Sequence, residues 1–281
     1  LNEQGGISAD LTVTRLAKDA YLVMTAFSSH TRDYNWLQRH IPSDAHAVLT
    51  DVTPSYAGIN VQGPNSRVLL QQVSPDNFSN SAFPFGTSKE IQLGYATIRA
   101  SRISYVGELG WELLIPSDMA AHVYETLVEA GQDLELANVG MHAMNSLRIE
   151  KAYRHWGHDM ADEDTPIEAG LEFAVRFDKP GGFIGREALL KQKECGLVAK
   201  RMVQFLMEDP EVMLYHNEPI IRDGTICGYI TSGMYGHTLG GSVGMGWGYL
   251  DADMVSSGSD LTPGRPGTLK SHVEFSSKPS I

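Results

Sequence analysis

The 281-residue sequence contains no run of about eighteen apolar residues, the length that a helix needs to cross a bilayer. Its two cysteines, Cys195 and Cys227, cannot form a disulfide framework or a four-thiolate zinc site, which fits a reducing compartment. Lys and Arg number 22 against 34 Asp and Glu, and the net charge of -12 disfavours broad binding to nucleic acid. We therefore predict no membrane and no nucleic-acid partner.

Two further features are missing from the sequence. It has no Gly-x-Gly-x-x-Gly and no Walker-type glycine loop, so it carries no recognisable dinucleotide or phosphate cradle of its own. It begins with Leu1 rather than Met, and no charged and apolar signal regions follow. We interpret the chain as a piece of a longer protein of the cytoplasm or the mitochondrial matrix.

Hydrophobic patterning predicts an α+β fold. The first part of the chain mixes strands and helices with short connections, which is typical of α+β proteins. From Lys200 onward, short strand-like segments are broken by Gly, Asp and Pro, which predicts a small antiparallel β-barrel or sandwich. The change after Gly181-Gly182 predicts one domain at residues 1–180 and a C-terminal β-barrel domain at residues 181–281.

Individual elements follow from periodicity and from turn residues. Strands are predicted at Leu11 to Leu16, Ala20 to Ala26, Val48 to Val52, Tyr56 to Val61, Ile91 to Tyr105, Trp111 to Ile115, Arg201 to Leu206, Glu218 to Ile221, Ile226 to Thr231 and Gly244 to Leu250. Helices are predicted at Thr31 to His40, after Gly63-Pro64, at Met119 to Ala130 and at Ala143 to Tyr153. In the helix after Pro64, we expect Val68, Leu69 and Val73 to be buried.

Two motifs suggest chemistry that the sequence context does not favour. The segment from Gly240 to Gly244 matches the nucleophile elbow of hydrolases, but Met245-Gly246-Trp247-Gly248 follows it and cannot sustain the required helix. His155, His158 and Asp159 could be metal ligands, but Arg154 adjoins them and no third strong ligand lies at a characteristic spacing. We therefore predict no metal site and interpret these residues as a hydrogen-bonded polar loop.

Several longer blocks, in the same order over nearly the whole chain, resemble the folate-binding aminomethyltransferase family, whose type member is the T-protein of the glycine cleavage system. The blocks are Asn2 to Gly6 with Asp10 to Val13, Tyr105 to Leu113, Ser146 to Lys151, Thr165 to Leu171, Phe183 to Leu189 and Thr231 to Gly233. Residues 79–85 and 150–156 also resemble the C-terminal region of sarcosine dehydrogenases in particular.

The resemblance implies a module that binds tetrahydrofolate and captures an oxidised methyl group as 5,10-methylenetetrahydrofolate. In sarcosine and dimethylglycine dehydrogenases, a flavin domain oxidises the N-methyl amine. We expect FAD only in such a fused or partner domain, outside this sequence. We also expect the first part of the folate-binding domain to lie outside this sequence. The chain alone is then expected to lack oxidase activity.

The family's catalytic carboxylate corresponds to Asp10. An oxidised methylamine is an iminium cation, which a nearby carboxylate can stabilise while it accepts the proton lost on attack. Glu112 corresponds to the glutamate that pairs with the pterin edge, because a carboxylate accepts two parallel hydrogen bonds from adjacent N–H groups. Alternation along a strand places Glu112 opposite Trp111 and Leu113. Without the resemblance, a solvated Glu112 and a strand-edge or turn position for Asp10 would be the alternatives.

Tyr21 and Val23 correspond to positions that line the folate pocket, and residues two apart share one face of a strand. Core packing is the alternative for both, and for Val23 the two roles are compatible. Phe173 stands where the T-protein has a pocket tryptophan, and it keeps an aromatic face without the indole donor. Met144 stands where the T-protein has an arginine that meets its aminomethyl-carrying partner, so we expect no lipoyl carrier protein as partner.

The competing hypothesis is a non-catalytic module like the pyruvate dehydrogenase phosphatase regulatory subunit, which resembles these dehydrogenases. Asp10 distinguishes the two, because a module without chemistry has no need of a carboxylate at that position. The sequence therefore favours the enzyme.

Overall fold

The computed structural model describes residues 1–196, 198–207, 209–222 and 225–249. The chain forms two compact units. The first unit comprises Leu1–Asp10 and the chain from Met141 onward, and the second comprises Leu11–Gly140. The predicted domain division at residue 180 concerns family domains rather than compact units, and it stays a prediction.

The second unit contains a hairpin, a four-stranded antiparallel sheet and three helices. The hairpin pairs β1 with β2, and the sheet has the order β3-β6-β5-β4. The bounds are β1 Leu11–Arg15, β2 Tyr21–Thr25, α1 His30–Arg39, β3 Tyr56–Gln62, α2 Ser66–Val73, β4 Ser88–Leu93, β5 Ala96–Ser101, β6 Gly110–Pro116 and α3 Ala120–Ala130.

One face of this sheet carries the core of the second unit. Side chains alternate across a strand, so every second residue of β6 points to the same face. Trp111, Leu113 and Ile115 are buried there with Val123 and Leu127 of α3. Glu112 and Leu114, which alternate with them, are left for the opposite face of the sheet.

The first unit combines helices with a second antiparallel sheet. Its elements are α4 Met141–Glu150, α5 Arg186–Cys195, β7 Lys200–Leu206, β8 Pro219–Arg222, β9 Thr225–Gly236 and β10 Gly241–Tyr249. The sheet order is β7-β10-β9-β8, which is open over the residues described. Ile149 of α4 packs on Val243 and Met245 of β10, so this helix covers the sheet.

The predicted α+β class with a C-terminal antiparallel β region is confirmed, and most predicted elements lie within a few residues of their expected bounds. Leu250, the predicted end of the last strand, lies outside the described residues. The segment from Ile91 to Tyr105 is a hairpin of β4 and β5 rather than one strand. The strand predicted at Val48 to Val52 is wrong, since the structure has no strand there.

The predicted buried face of α2 is partly wrong. Val68 is 48% exposed, whereas Leu69 and Leu70 are buried. The helix begins at Ser66, and helical spacing from that residue brings positions 69, 70 and 73 onto one face. Val68 therefore points away from the sheet.

The structure also bears on the hydrolase-like motif from Gly240 to Gly244. Ser242 lies within the continuous strand β10 and is completely buried, and its hydroxyl accepts a hydrogen bond from Leu214 N at 2.9 Å. The geometry is thus not the exposed strand-to-helix turn of a nucleophile elbow.

Among the described residues, no helix is long and apolar enough to cross a membrane.

Candidate functional site

Glu112 lies in the middle of β6, on the face of the sheet opposite the core. Trp111 and Leu113 on either side are buried, and Glu112 itself is half-buried, as the strand alternation predicts. The antiparallel registers place Asn60 of β3 and Ser101 of β5 directly beside it. Glu112 is therefore the central acid of a polar strip across three strands.

The Glu112 carboxylate has an unusual environment. Burial raises its pKa, because removal from water disfavours the charged form. No group in the described parts of the chain forms a hydrogen bond or an ion pair with this carboxylate. Half-buried charges usually have a partner, so an unpaired one is a candidate for binding a ligand that supplies hydrogen-bond donors.

The β1–β2 hairpin places Tyr21 and Val23 on one face, as predicted. Its register sets Tyr21 opposite Arg15 and Val23 opposite Val13. Tyr21 is 57% exposed and Val13 is 56% exposed, so much of this apolar face lies open. Full burial in a core, the alternative for Tyr21, does not describe this side chain. The hairpin face is thus an accessible aromatic and aliphatic surface.

Asp10 ends the N-terminal segment of the first unit. The Asp10 side chain is exposed to solvent, but the surrounding protein partly desolvates its carboxyl and raises the pKa, while His155 acts in the opposite direction. Asp10 therefore combines access to solvent with a proton affinity above that of an ordinary aspartate.

Phe173 lies in a short 3₁₀ turn of the first unit, Glu172–Ala174, and is 84% exposed. Large aromatic residues usually bury much of their surface, so an open ring of this size can offer a stacking face. The turn is joined to α5 by an ion pair between Glu172 and Lys193 with an N···O distance of 2.6 Å.

Asp159 is the centre of a buried network that the sequence did not reveal. Asp159 and Arg148 are 1% and 2% exposed, and Arg148 Nη1 donates to Asp159 Oδ2 at 2.5 Å. Ser232 and Thr231 donate to Asp159 Oδ1 at 2.5 Å and 2.6 Å. Burial acts to raise the pKa of Asp159, but the charge of Arg148 and these hydrogen bonds outweigh it and lower the pKa.

This network explains the polar loop that could also be read as a metal site. The second oxygen of Asp159 also accepts a hydrogen bond from the backbone N–H of His155 at 2.8 Å, which closes a turn. Both carboxylate oxygens of Asp159 therefore have hydrogen-bond partners within the protein. Within the residues described, no three His, Cys, Asp or Glu side chains are grouped as metal ligands.

Two family models match the sequence: the GCVT N-terminal domain over residues 1–179, and the glycine cleavage T-protein C-terminal barrel domain over residues 200–279. The chain is 44% identical over 256 residues to 4-methylaminobutanoate oxidase (formaldehyde-forming) of Paenarthrobacter nicotinovorans. The aligned region covers 90% of this chain and 31% of that protein. It is 36% identical over 308 residues to the mitochondrial sarcosine dehydrogenase of Homo sapiens, with coverages of 99% and 33%.

A third relative is the mitochondrial pyruvate dehydrogenase phosphatase regulatory subunit of Mus musculus, 36% identical over 252 residues, with coverages of 88% and 29%. The chain thus spans about a third of the length of these relatives. The crystal structure of the glycine cleavage system aminomethyltransferase T from Bartonella henselae matches with a TM-score of 0.77 and 25% identity, over 89% of this chain and 66% of that one. The chain belongs to the glycine cleavage T-protein family of folate-dependent aminomethyltransferases.

Proposed function

We propose that this chain is the tetrahydrofolate-binding module of an N-methyl amine dehydrogenase, acting on a substrate such as sarcosine or dimethylglycine. In this role it captures the oxidised methyl group as 5,10-methylenetetrahydrofolate. FAD would belong to a fused or partner domain, because the sequence has no dinucleotide loop of its own. The sarcosine dehydrogenase among the relatives supports this proposal.

The observation that carries the proposal is the unpaired Glu112 carboxylate. An aminopyrimidine edge presents adjacent N–H donors, and a carboxylate can accept two of them in parallel. Such a ligand would supply the hydrogen bonds that the protein does not give to Glu112. Tyr21, Val23 and Phe173 are the accessible apolar and aromatic side chains that we assign to the folate rings and their surroundings.

Asp10 is assigned to the chemistry. Bound tetrahydrofolate would supply the amine groups that take up the one-carbon unit. Near the iminium cation, the Asp10 carboxylate would stabilise the positive charge and then accept the proton that the first attacking amine loses. On ring closure, the demethylated amine would leave with the proton that the second amine loses. A raised pKa makes a carboxylate a better proton acceptor, and general base catalysis of this kind contributes typically ~10²–10⁴-fold.

Glu112→Gln in the full-length protein tests the binding assignment. The substitution keeps the size but replaces one acceptor oxygen with a donor, which would face the donors of the pterin edge. Loss of a charge-assisted hydrogen bond costs roughly 1.5–3 kcal/mol, which corresponds to about a tenfold to hundredfold weaker binding. Isothermal titration with tetrahydrofolate measures this change.

Glu129→Gln is the matched control, because Glu129 is an exposed acid on α3, which packs against the opposite face of the sheet. It removes the same charge and should leave the affinity unchanged. Equal affinities of wild type and Glu112→Gln, with both proteins folded, would remove Glu112 from the binding site. A full-length protein that shows no tetrahydrofolate binding at all would contradict the proposal as a whole.

A regulatory module is the second candidate, and the similarity to the phosphatase regulatory subunit favours it. Asp10 separates the two candidates, because only the enzyme requires a carboxylate there. One relative is named as formaldehyde-forming, so the assay that separates the candidates measures formaldehyde together with methylenetetrahydrofolate.

A further inference from the structure

The segment that leads to Asp10 is fixed by contacts within the first unit. Ile7 N donates to Asp164 O at 2.8 Å. Gly6 lies so close to the backbone that a Cβ there would be 1.8 Å from Asp162 O. Trp156 Nε1 donates to Ile7 O at 2.5 Å. The last of these anchors is therefore only three residues before Asp10.

Trp156 is itself held by a tight turn. Gly157 N donates to Met160 O at 2.7 Å, and Asp159 N donates to His155 O at 2.8 Å. Asp159 Oδ2 accepts the backbone N–H of His155, so the turn is closed at both ends. Its conformation sets the direction of the indole N–H that reaches Ile7.

The turn is fixed to the rest of the unit through Asp159. Arg148, Thr231 and Ser232 bind the carboxylate, and Trp247 Nε1 donates to the backbone oxygen of Asp159 at 2.9 Å. Asp159 is thus linked to α4, β9 and β10 at once. When every polar atom of a buried network has a hydrogen-bond partner, the network holds its side chains in one arrangement.

The same turn carries a titratable ring that acts on Asp10. His155 precedes Trp156 and interacts electrostatically with Asp10, while Arg148, His158 and Asp159 are the other charged or titratable groups that act on its ring. A shift of the turn would move both the backbone before Asp10 and this neighbouring ring.

We propose that Trp156 and Asp159 are positioning residues for the Asp10 carboxylate. Asp159 fixes the turn, and Trp156 passes that fixed geometry to the Asp10 segment through the Ile7 carbonyl. This inference rests on the proposed role of Asp10. It adds that residues without contact to the reacting groups control the efficiency of one-carbon capture.

Trp156→Phe in the full-length protein tests the inference, since it removes the indole N–H and keeps an aromatic ring. With the amine as substrate and saturating tetrahydrofolate, the ratio of methylenetetrahydrofolate to formaldehyde should fall by about tenfold, because small displacements of reacting groups reduce rates strongly. The affinity for tetrahydrofolate should stay unchanged. Amide hydrogen exchange at Ile7 should become faster than in the wild type.

Ser146→Ala is the matched control, because Ser146 also donates from a buried side chain to a backbone oxygen of the first unit, Tyr235 O at 2.6 Å. It should lower stability to a similar degree without changing product partitioning. If Trp156→Phe does not fold, Thr231→Val replaces it, because it removes a donor to Asp159 and keeps the shape. Thr231→Val should lower the product ratio by about twofold to threefold.

Unchanged partitioning in whichever of the two variants folds would overturn the inference, provided that Asp10→Asn alters partitioning in the same assay. A parallel loss of folate affinity would also overturn it, because that result indicates general damage to the fold. If Asp10→Asn is silent as well, the proposed role of Asp10 fails, and the positioning role fails with it.

Discussion

Replacing Asp159 by Asn would leave the Arg148 guanidinium buried without its counter-charge. The two side chains are 1% and 2% exposed, so water cannot take over the lost interaction. Removing one partner of a buried ion pair typically costs roughly 3–5 kcal/mol. Because Asn keeps the shape and one acceptor oxygen for Ser232 and Thr231, we expect about 3 kcal/mol, the low end of this range.

The assay is urea unfolding of the wild type, Asp159→Asn, Arg148→Met and the double variant. The double variant removes the buried charge as well as its partner, so its loss should be about 2 kcal/mol smaller than the sum of the two single losses. Global unfolding of this chain involves two compact units, so two probes, one in each unit, should be followed.

The pH dependence gives a second measure of the same pair. The pKa of Asp159 is lower in the folded protein, because the effect of Arg148 and the hydrogen bonds exceeds that of burial. The resulting stabilisation is present above the ordinary Asp pKa of about 3.9. It is lost as the pH falls through the lower folded pKa. The Asp159→Asn variant should not show this loss of stability at acid pH.

A small effect would refute the reasoning. If Asp159→Asn loses less than about 1 kcal/mol, the value expected for an ordinary neutral hydrogen bond, the pair is not a desolvated ion pair. Additive single losses would lead to the same conclusion, because they would show that the two side chains do not interact.

Two further predictions concern the proposed site residues. Asp10→Asn in the full-length protein should leave flavin reduction by the amine nearly normal and shift product from methylenetetrahydrofolate to formaldehyde; equal partitioning would make Asp10 structural. Glu112→Gln should stabilise the chain at neutral pH while it weakens folate binding, because burial disfavours the charged carboxylate. The wild type loses stability as pH rises through the raised pKa of Glu112, so urea unfolding from pH 4 to 7 should show the two proteins diverging; a constant difference would contradict this.

Periodicity in the sequence predicted most of the elements. Alternation around Glu112 predicted correctly that Trp111 and Leu113 are buried and that the carboxylate points the other way. The hairpin that carries Tyr21 was equally clear, because its strands are adjacent in sequence and separated by a polar turn. Such features depend on neighbouring residues, and local backbone geometry is enough to fix them.

Other features depend on partners that are distant in sequence. The segment at Val48 has the composition of a strand, but a strand requires another strand to bond with, and Val48 is instead 85% exposed. The buried face of α2 is decided by the sheet residues that it packs against, so Leu69 and Leu70 are buried whereas Val68 is 48% exposed.

The candidate site residues also divide into features that the sequence predicts and features that only the tertiary structure shows. Residue identities and their resemblance to a family are enough to single out Asp10 and Glu112. Only the tertiary structure shows that the Glu112 carboxylate is unpaired among the described residues and that Asp159 pairs with Arg148. Burial and hydrogen-bond satisfaction are properties of packed neighbours, and folding alone brings Asp159 to Ser232, 73 residues further along the chain.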